Sequence, residues 1–239
     1  MALSPHTADA PSGASREEAP WRLEIRAALE RVAPERRRGL RAFRSGEGSR
    51  LLPSVGAGPA GSAFPLLDLA SNDYLGLSRH PAVVAAARSE LECSGLGAGG
   101  SRLVTGTRPV HGQLEAALAA WLGRERVLLF PSGFQANLAA VTALADRHAL
   151  VCADRHVHHS LLAGVRASGA RLVRFAHNDL GDLERRLVEA RSRQPEQTRL
   201  VLSESLFSME GTSPDVPALA ALCRRHGALL LLDEAHALG

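Results

Sequence analysis

The 239-residue sequence predicts an α/β domain built on a mostly parallel sheet with helices on both faces. Three observations predict it. Strand-like and helical runs alternate regularly over the second half of the chain, and the strand-like runs are apolar throughout instead of alternating. The residues directly after those runs are polar, as they are where a parallel sheet presents its carboxyl edge to a ligand. A hydrophobic fraction of 45% and a charged fraction of 22% are ordinary globular values, and the length is enough for a sizeable core.

Taken in order, residues 1–20 (MALSPHTADAPSGASREEAP) lack an apolar h-region, and their Pro, Ser, Ala and acidic content predicts a disordered leader, not a secretory signal. Trp21, Ile25, Leu29 and Val32 recur at helical spacing and predict an N-terminal arm helix. Arg36, Arg37, Arg38 and Arg41 follow it. Gly46 to Gly61 is rich in Gly, Pro and Ser and predicts a loop, so that arm and loop occupy 21–62 and the large domain 63–239. Ser78 and Pro81 open a helix that runs to about Cys93. The stretch GLGAGGSRLVTGTR is a Gly-rich loop, Val110 to Leu122 is helical, and Val127 to Phe130 reads as a short buried strand. Further strands are predicted at Ala149 to Ala153, Arg171 to Phe175, Leu200 to Ser203 and Ala228 to Leu232. Helices near Ser160 to Ser168, Leu180 to Arg193 and Val216 to His226 separate them. Gly169 and Gly227 stand where C-terminal caps belong, and Asp179 where an N-cap belongs.

Several function classes drop out on composition. Aromatic residues make up only 4%, the net charge is +3, and the Arg residues are interleaved with Asp and Glu, which describes solvated helix surfaces better than a nucleic-acid footprint. No apolar run approaches the roughly 20 residues of a membrane helix, and Ala228 to Leu232 suits a buried strand. Cys93, Cys152 and Cys223 are odd in number and form no CxxC pair, so neither a disulfide framework nor a cysteine zinc site is indicated, and a cytoplasmic location is expected. All 28 basic residues are Arg; the sequence contains no Lys.

The chemistry should sit after the strands. Pro131-Ser132-Gly133-Phe134 precedes a helix, an arrangement that aims backbone N–H groups and a hydroxyl at an anion such as phosphate, although a plain tight turn has the same pattern. His156, His158 and His159 invite a zinc reading, but no Cys or HExxH helix completes a ligand set, and no metal is expected. An imidazole there can equally lie flat on a planar ligand or begin a helix. Asp233-Glu234-Ala235-His236 spells a helicase tetrapeptide, yet a chain without Lys cannot supply the GxxxxGK[ST] loop such enzymes need. A carboxylate at a strand end has another use, which is to hold a protonated pyridine nitrogen, and Asp233 suits it as well as it suits an ordinary turn.

In this order the segments resemble the α-oxoamine synthases, fold type I pyridoxal-phosphate transferases that condense an amino acid with an acyl thioester. The resemblance runs from about Leu67 to the last residue. Its carriers are SNDYLGL (71–77), GAGGSRLVTG (97–106), His111 with Leu114-Glu115, Ser132-Gly133-Phe134, Ala153 to Ser160, Phe207 to Gly211, and Asp233 to His236. The longer SNDYLGLSRHP (71–81) and FAHND (175–179) are most similar to the branch that joins L-alanine to a pimeloyl thioester, carried on coenzyme A or a carrier protein, in biotin synthesis. Branches using glycine or serine share most of these segments. The resemblance implies pyridoxal 5'-phosphate as cofactor, with Gly133 and Phe134 at its phosphate, His158 stacked on its ring, Ser208 and His236 as further contacts, and Asp233 at the ring nitrogen. It also implies a homodimer and, with a small gap in alignment, Arg41 as a substrate contact, His158 being the other. His156 and His159 receive no role. The family's cofactor-linking Lys follows the DEAH-like segment by a few dozen residues, and the sequence ends first. The expectation is therefore an N-terminal portion inactive alone, the competing expectation being a non-catalytic lobe used for binding or assembly.

Overall fold

The computed structural model describes residues 19–37, 39–46, 48, 50–53 and 65–238. The predicted leader, apart from its last two residues, and most of the predicted 46–61 loop lie outside the described residues. Two compact units are present, one up to Gly97 and one from Ala98; the sequence starts the large domain earlier, at residue 63.

The first unit opens with α1 (Pro20–Glu30), whose Pro occupies the first helical position where a missing N–H costs nothing. A small antiparallel sheet follows: β1 (Phe43–Ser45), β2 (Arg50–Pro53) and β3 (Leu66–Leu67), in the order β1-β2-β3. Sequence reading places β2 inside a loop. Its strand character comes from pairing with partners at a distance, Phe43 opposite Pro53 and Leu51 opposite Leu66, and not from local periodicity. Then α2 (Pro81–Ser94) begins where Pro81 predicts it, with His80 Nδ1 accepting from Ala82 N–H at 3.3 Å.

The second unit carries α3 (Pro109–Leu122), α4 (Gly133–Leu144), β4 (Leu150–Asp154), α5 (His159–Ser168), β5 (Arg171–Phe175), α6 (Leu180–Arg193), β6 (Arg199–Glu204), α7 (Val216–Arg225) and β7 (Leu229–Asp233). The four strands are parallel and ordered β5-β4-β6-β7. Both faces are covered, which is why β4 and β6 carry apolar residues at successive positions through their middles. On β4, Val151 and Ala153 pack with Val141, Leu161 and Val165 of α4 and α5, while Leu150 and Cys152 pack with Leu183, Leu187, Leu219 and Leu222 of α6 and α7. On β6, Leu200 and Leu202 take the first side and Val201 the second. Asp179 caps α6 by accepting from Asp182 N–H at 2.8 Å, and Gly169 ends α5 at φ +72°, a left-handed conformation that glycine adopts without penalty.

One predicted strand is corrected. Val127 to Phe130 is irregular, because an apolar run forms a strand only when a neighbour completes its ladder, and it has no strand partner among the described residues. Side chains satisfy part of its backbone instead. Glu115 Oε1 accepts from Leu129 N–H at 2.9 Å, and Arg102 Nη1 donates to Leu129 O at 3.3 Å and to Glu115 Oε1 at 2.6 Å. The Arg102 guanidinium, with help from that N–H, holds the Glu115 carboxyl down to about 2. In the Gly-rich loop, a Cβ on Gly106 would lie 1.9 Å from Gly100 O, so this crossing of two backbone segments admits no side chain.

Candidate functional site

The carboxyl ends of β4, β6 and β7 carry Asp154, Glu204 and Asp233, and the helices beside them begin at the same edge. Here a cleft of about 240 Å³ opens within the second unit. Gly133 and Phe134 of α4, His158 and Ser160 at the start of α5, Glu204, Ser208, Asp233 and His236 line it. Six of the eight are singled out by the sequence for a cofactor, so the fold gathers all of its predicted cofactor contacts in one place. Arg41 belongs to the first unit, exposed, two residues before β1.

At one end of the cleft stands the N-terminus of α4. Ser132 Oγ accepts from Gln135 N–H at 3.3 Å, and the first intrahelical acceptor, Ser132 O, serves Ala136. The amides of Gly133 and Phe134 therefore precede the helical ladder and face the cleft with the positive end of the helix dipole.

The sheet end is polar and highly organised. Asn137, one turn into α4, donates through Nδ2 to Asp233 Oδ2 at 2.7 Å and to Ser160 Oγ at 2.9 Å. Ala235 N–H donates to Asp233 Oδ1 at 3.0 Å, and Ser205 N–H to Asp233 O at 2.9 Å. Ser160 Oγ lies 2.6 Å from His158 Nδ1, which also accepts Ser160 N–H at 3.3 Å. An Nδ1 that accepts from an amide carries no proton in the neutral ring, so the neutral His158 presents N–H at Nε2, and the Ser160 hydroxyl donates to Nδ1. A single amide thus holds the Asp233 carboxylate and the His158 ring in register. Asn137 and Ser160 escape sequence reading because an Asn on a helix and a Ser at a helix start are commonplace; the one available signal is their position, on the first turns of helices that begin at the carboxyl edge of the sheet.

Glu204 is the other residue sequence reading misses. It is 4% exposed, and its Oε1 accepts from His158 N–H at 2.5 Å. Burial, reinforced by the charges of Asp233, Glu210 and Asp154 and opposed by that N–H, raises its carboxyl to about 7. It is therefore a group that exchanges its proton near neutrality beside the Asp233 carboxylate.

The three clustered His part company. His156 pairs with Glu210 at 3.0 Å, His158 enters the cleft, and His159 begins α5, exposed. Among the described residues no group of three or more His, Cys, Asp or Glu converges as a metal site.

The arrangement offers anion-binding amides at one end, a restrained carboxylate at the other and an imidazole between. That is the donor set for a flat heteroaromatic ring with an anionic arm and a basic ring nitrogen. Comparison with known proteins agrees. The family of aminotransferases class I and II matches residues 65–239. An 8-amino-7-oxononanoate synthase of Gluconacetobacter diazotrophicus is 49% identical over 181 residues, covering 73% of this chain and 45% of that protein. A Mycobacterium tuberculosis protein of the same name is 50% identical over 173 residues, covering 72% and 44%. A structure of serine palmitoyltransferase from S. paucimobilis with a bound PLP-myriocin aldimine superimposes with a TM-score of 0.72 at 30% identity, covering 81% of this chain and 46% of that one. The chain thus spans somewhat less than half the length of these relatives.

Proposed function

The chain belongs to the aminotransferase class I and II family, and on that footing we propose that it forms the cofactor-holding part of an α-oxoamine synthase of the branch joining L-alanine to a pimeloyl thioester in biotin synthesis. Its fold is that of the fold type I transferases, whose cofactor is pyridoxal 5'-phosphate. Identity near 50% to curated proteins named 8-amino-7-oxononanoate synthase favours the alanine branch.

When bound, pyridoxal phosphate supplies an electron sink that stabilises negative charge at the amino acid's α-carbon. The amides of Gly133 and Phe134 bind its phosphate at the start of α4. Asp233, aimed by Asn137 and Ala235 N–H, would hold a proton at the ring nitrogen. His158, oriented through Ser160, would lie against the ring, and Ser208 and His236, which line the same cleft, would be further contacts. On the family resemblance alone, Arg41 is a substrate contact. In the whole protein the partners are the amino acid, the acyl thioester and a second copy of the chain.

The observation that carries this reading is the pairing, across one cleft, of the α4 N-terminus with a carboxylate at the end of a parallel strand. Because the sequence has no Lys, this chain holds the cofactor without a covalent link to a side-chain amine. Equilibrium dialysis with pyridoxal phosphate is expected to show reversible uptake, with borohydride trapping no adduct on any internal peptide, and pyridoxal lacking the phosphate binding more weakly. Equal binding of the two ligands, or no uptake of either, overturns the assignment.

A further inference from the structure

Beside the cleft, on the far side of β4, lies a second polar cluster. Asp154 is fully buried, and its carboxylate accepts from three donors: His156 N–H at 2.8 Å, Asn178 N–H at 2.8 Å and His177 Nδ1 at 2.9 Å. Donation from Nδ1 fixes the neutral tautomer of His177, leaving Nε2 as an acceptor. Thr212 Oγ1, 2.8 Å from that Nε2, is the nearer of the two donors that reach it, the other being Asn178 Nδ2 at 3.3 Å. The His177 ring also stacks on His156, centroids 4.3 Å apart and 16° from parallel, and meets Phe207 edge-on at 4.5 Å. His156 Nδ1 in turn lies 3.0 Å from Glu210 Oε1.

Phe207, Glu210 and Thr212 all belong to the loop that joins β6 to α7, and so does Ser208. The loop is otherwise thinly held. Phe207 is buried, but residues 208–213 are exposed, and the loop's own bonds run from Phe207 N–H to Thr212 O at 2.9 Å and from Gly211 N–H to Phe207 O at 2.8 Å. His177 thus grips both ends of the hairpin-like turn that carries Ser208, while Asp154 ties His177 to the sheet.

We infer that His177 is a positioning residue which, through Thr212 and the stacked His156, holds the 205–212 loop so that Ser208 reaches the cofactor cleft. The inference rests on the cofactor reading for what Ser208 touches, but not for how the loop is held. None of these groups touches the cleft: the cluster acts on the site through the backbone between Phe207 and Thr212.

The test uses Thr212, whose exposed side chain can be changed without disturbing the core. Four variants of the chain are needed: Thr212→Val, Thr212→Ser, Ser208→Ala and the double variant Ser208→Ala with Thr212→Val. Loss of one hydrogen bond should speed hydrogen exchange of the Phe207 and Gly211 amides about 3- to 10-fold in Thr212→Val, and Thr212→Ser should restore the native rate. Pyridoxal phosphate, read by equilibrium dialysis, should bind Thr212→Val more weakly than the native chain, whereas in the Ser208→Ala background Thr212→Val should cause no further loss. Unchanged exchange in Thr212→Val overturns the loop-holding role. Equal weakening in both backgrounds shows that the cluster does not act through Ser208 and overturns the inference as stated. A native chain that takes up no pyridoxal phosphate overturns the cofactor reading, and the role given to Ser208 falls with it, while the exchange result still decides how the loop is held.

Discussion

Glu204 shows how one residue can set a pH dependence for the molecule. Its carboxyl has an ordinary value of 4.5 when exposed and about 7 in the fold. Between those values the native state holds a proton that the unfolded chain has released, so this group's contribution to stability is fully present below about pH 4.5 and is lost as pH rises through 7. Glu204→Gln keeps an oxygen for His158 N–H and removes the titration. It should leave stability near pH 4 unchanged and raise it at pH 8 by on the order of 3 kcal/mol, as read from urea denaturation of the ligand-free protein. A variant no more stable than the native chain at pH 8 would show that the buried carboxylate is compensated by other groups. Asp233, by contrast, was picked out in the sequence, though by the family resemblance of Asp233 to His236, because a carboxylate after a run of Leu suits an ordinary turn equally well; the fold places it in the cleft. Asn137, Ser160 and Glu204 were not, since what marks them is a set of partners up to 96 positions away along the chain.

At the scale of elements, the contact between α4 and α5 decides whether Asn137 and Ser160 meet. The helices approach through Gly164, where an added Cβ would lie 2.8 Å from Val141 Cβ and 3.3 Å from Asn137 O, the latter a backbone atom that cannot swing aside. Gly164→Ala should therefore cost about 1–3 kcal/mol through overpacking, despite alanine's better helix propensity, and chemical denaturation would register it. A neutral or stabilising result would mean the two helices separate cheaply. Elements of this kind were readable one by one: β5 and α6 begin and end where apolar runs, Asp179 and Gly169 predict, and β4, β6, α7 and β7 do so within a residue or so. The small sheet β1-β2-β3 was not readable, since two- to four-residue strands carry no periodicity and exist through pairing alone. Val127 to Phe130 erred in the opposite direction, being apolar enough for a strand but bonded to Arg102 and Glu115 instead.

At the scale of the whole molecule, the parallel sheet of the second unit ends on β7, which among the described residues is paired only with β6. Leu229, at its start, is 48% exposed. A half-covered edge strand of consecutive Leu is a template for strand addition by another chain. Leu229→Arg should lower self-association, measured by sedimentation velocity across a concentration series, with little loss of stability because the side chain it replaces already faces water. Unchanged association would place the sticky surface elsewhere.

The same edge of the sheet has an electrical consequence. Of the three carboxyl groups that end strands there, those of Glu204 and Asp233 line the cleft, and so does the first turn of α4. The positive end of the α4 dipole and the Asp233 carboxylate therefore share one cleft wall. A ligand with an anionic arm and a protonated ring is drawn in with one orientation and repelled in the reverse one, so the cleft sorts incoming molecules by the direction of their dipole before any contact is made, and salt in the medium blunts that sorting more than it blunts the grip on a ligand already seated.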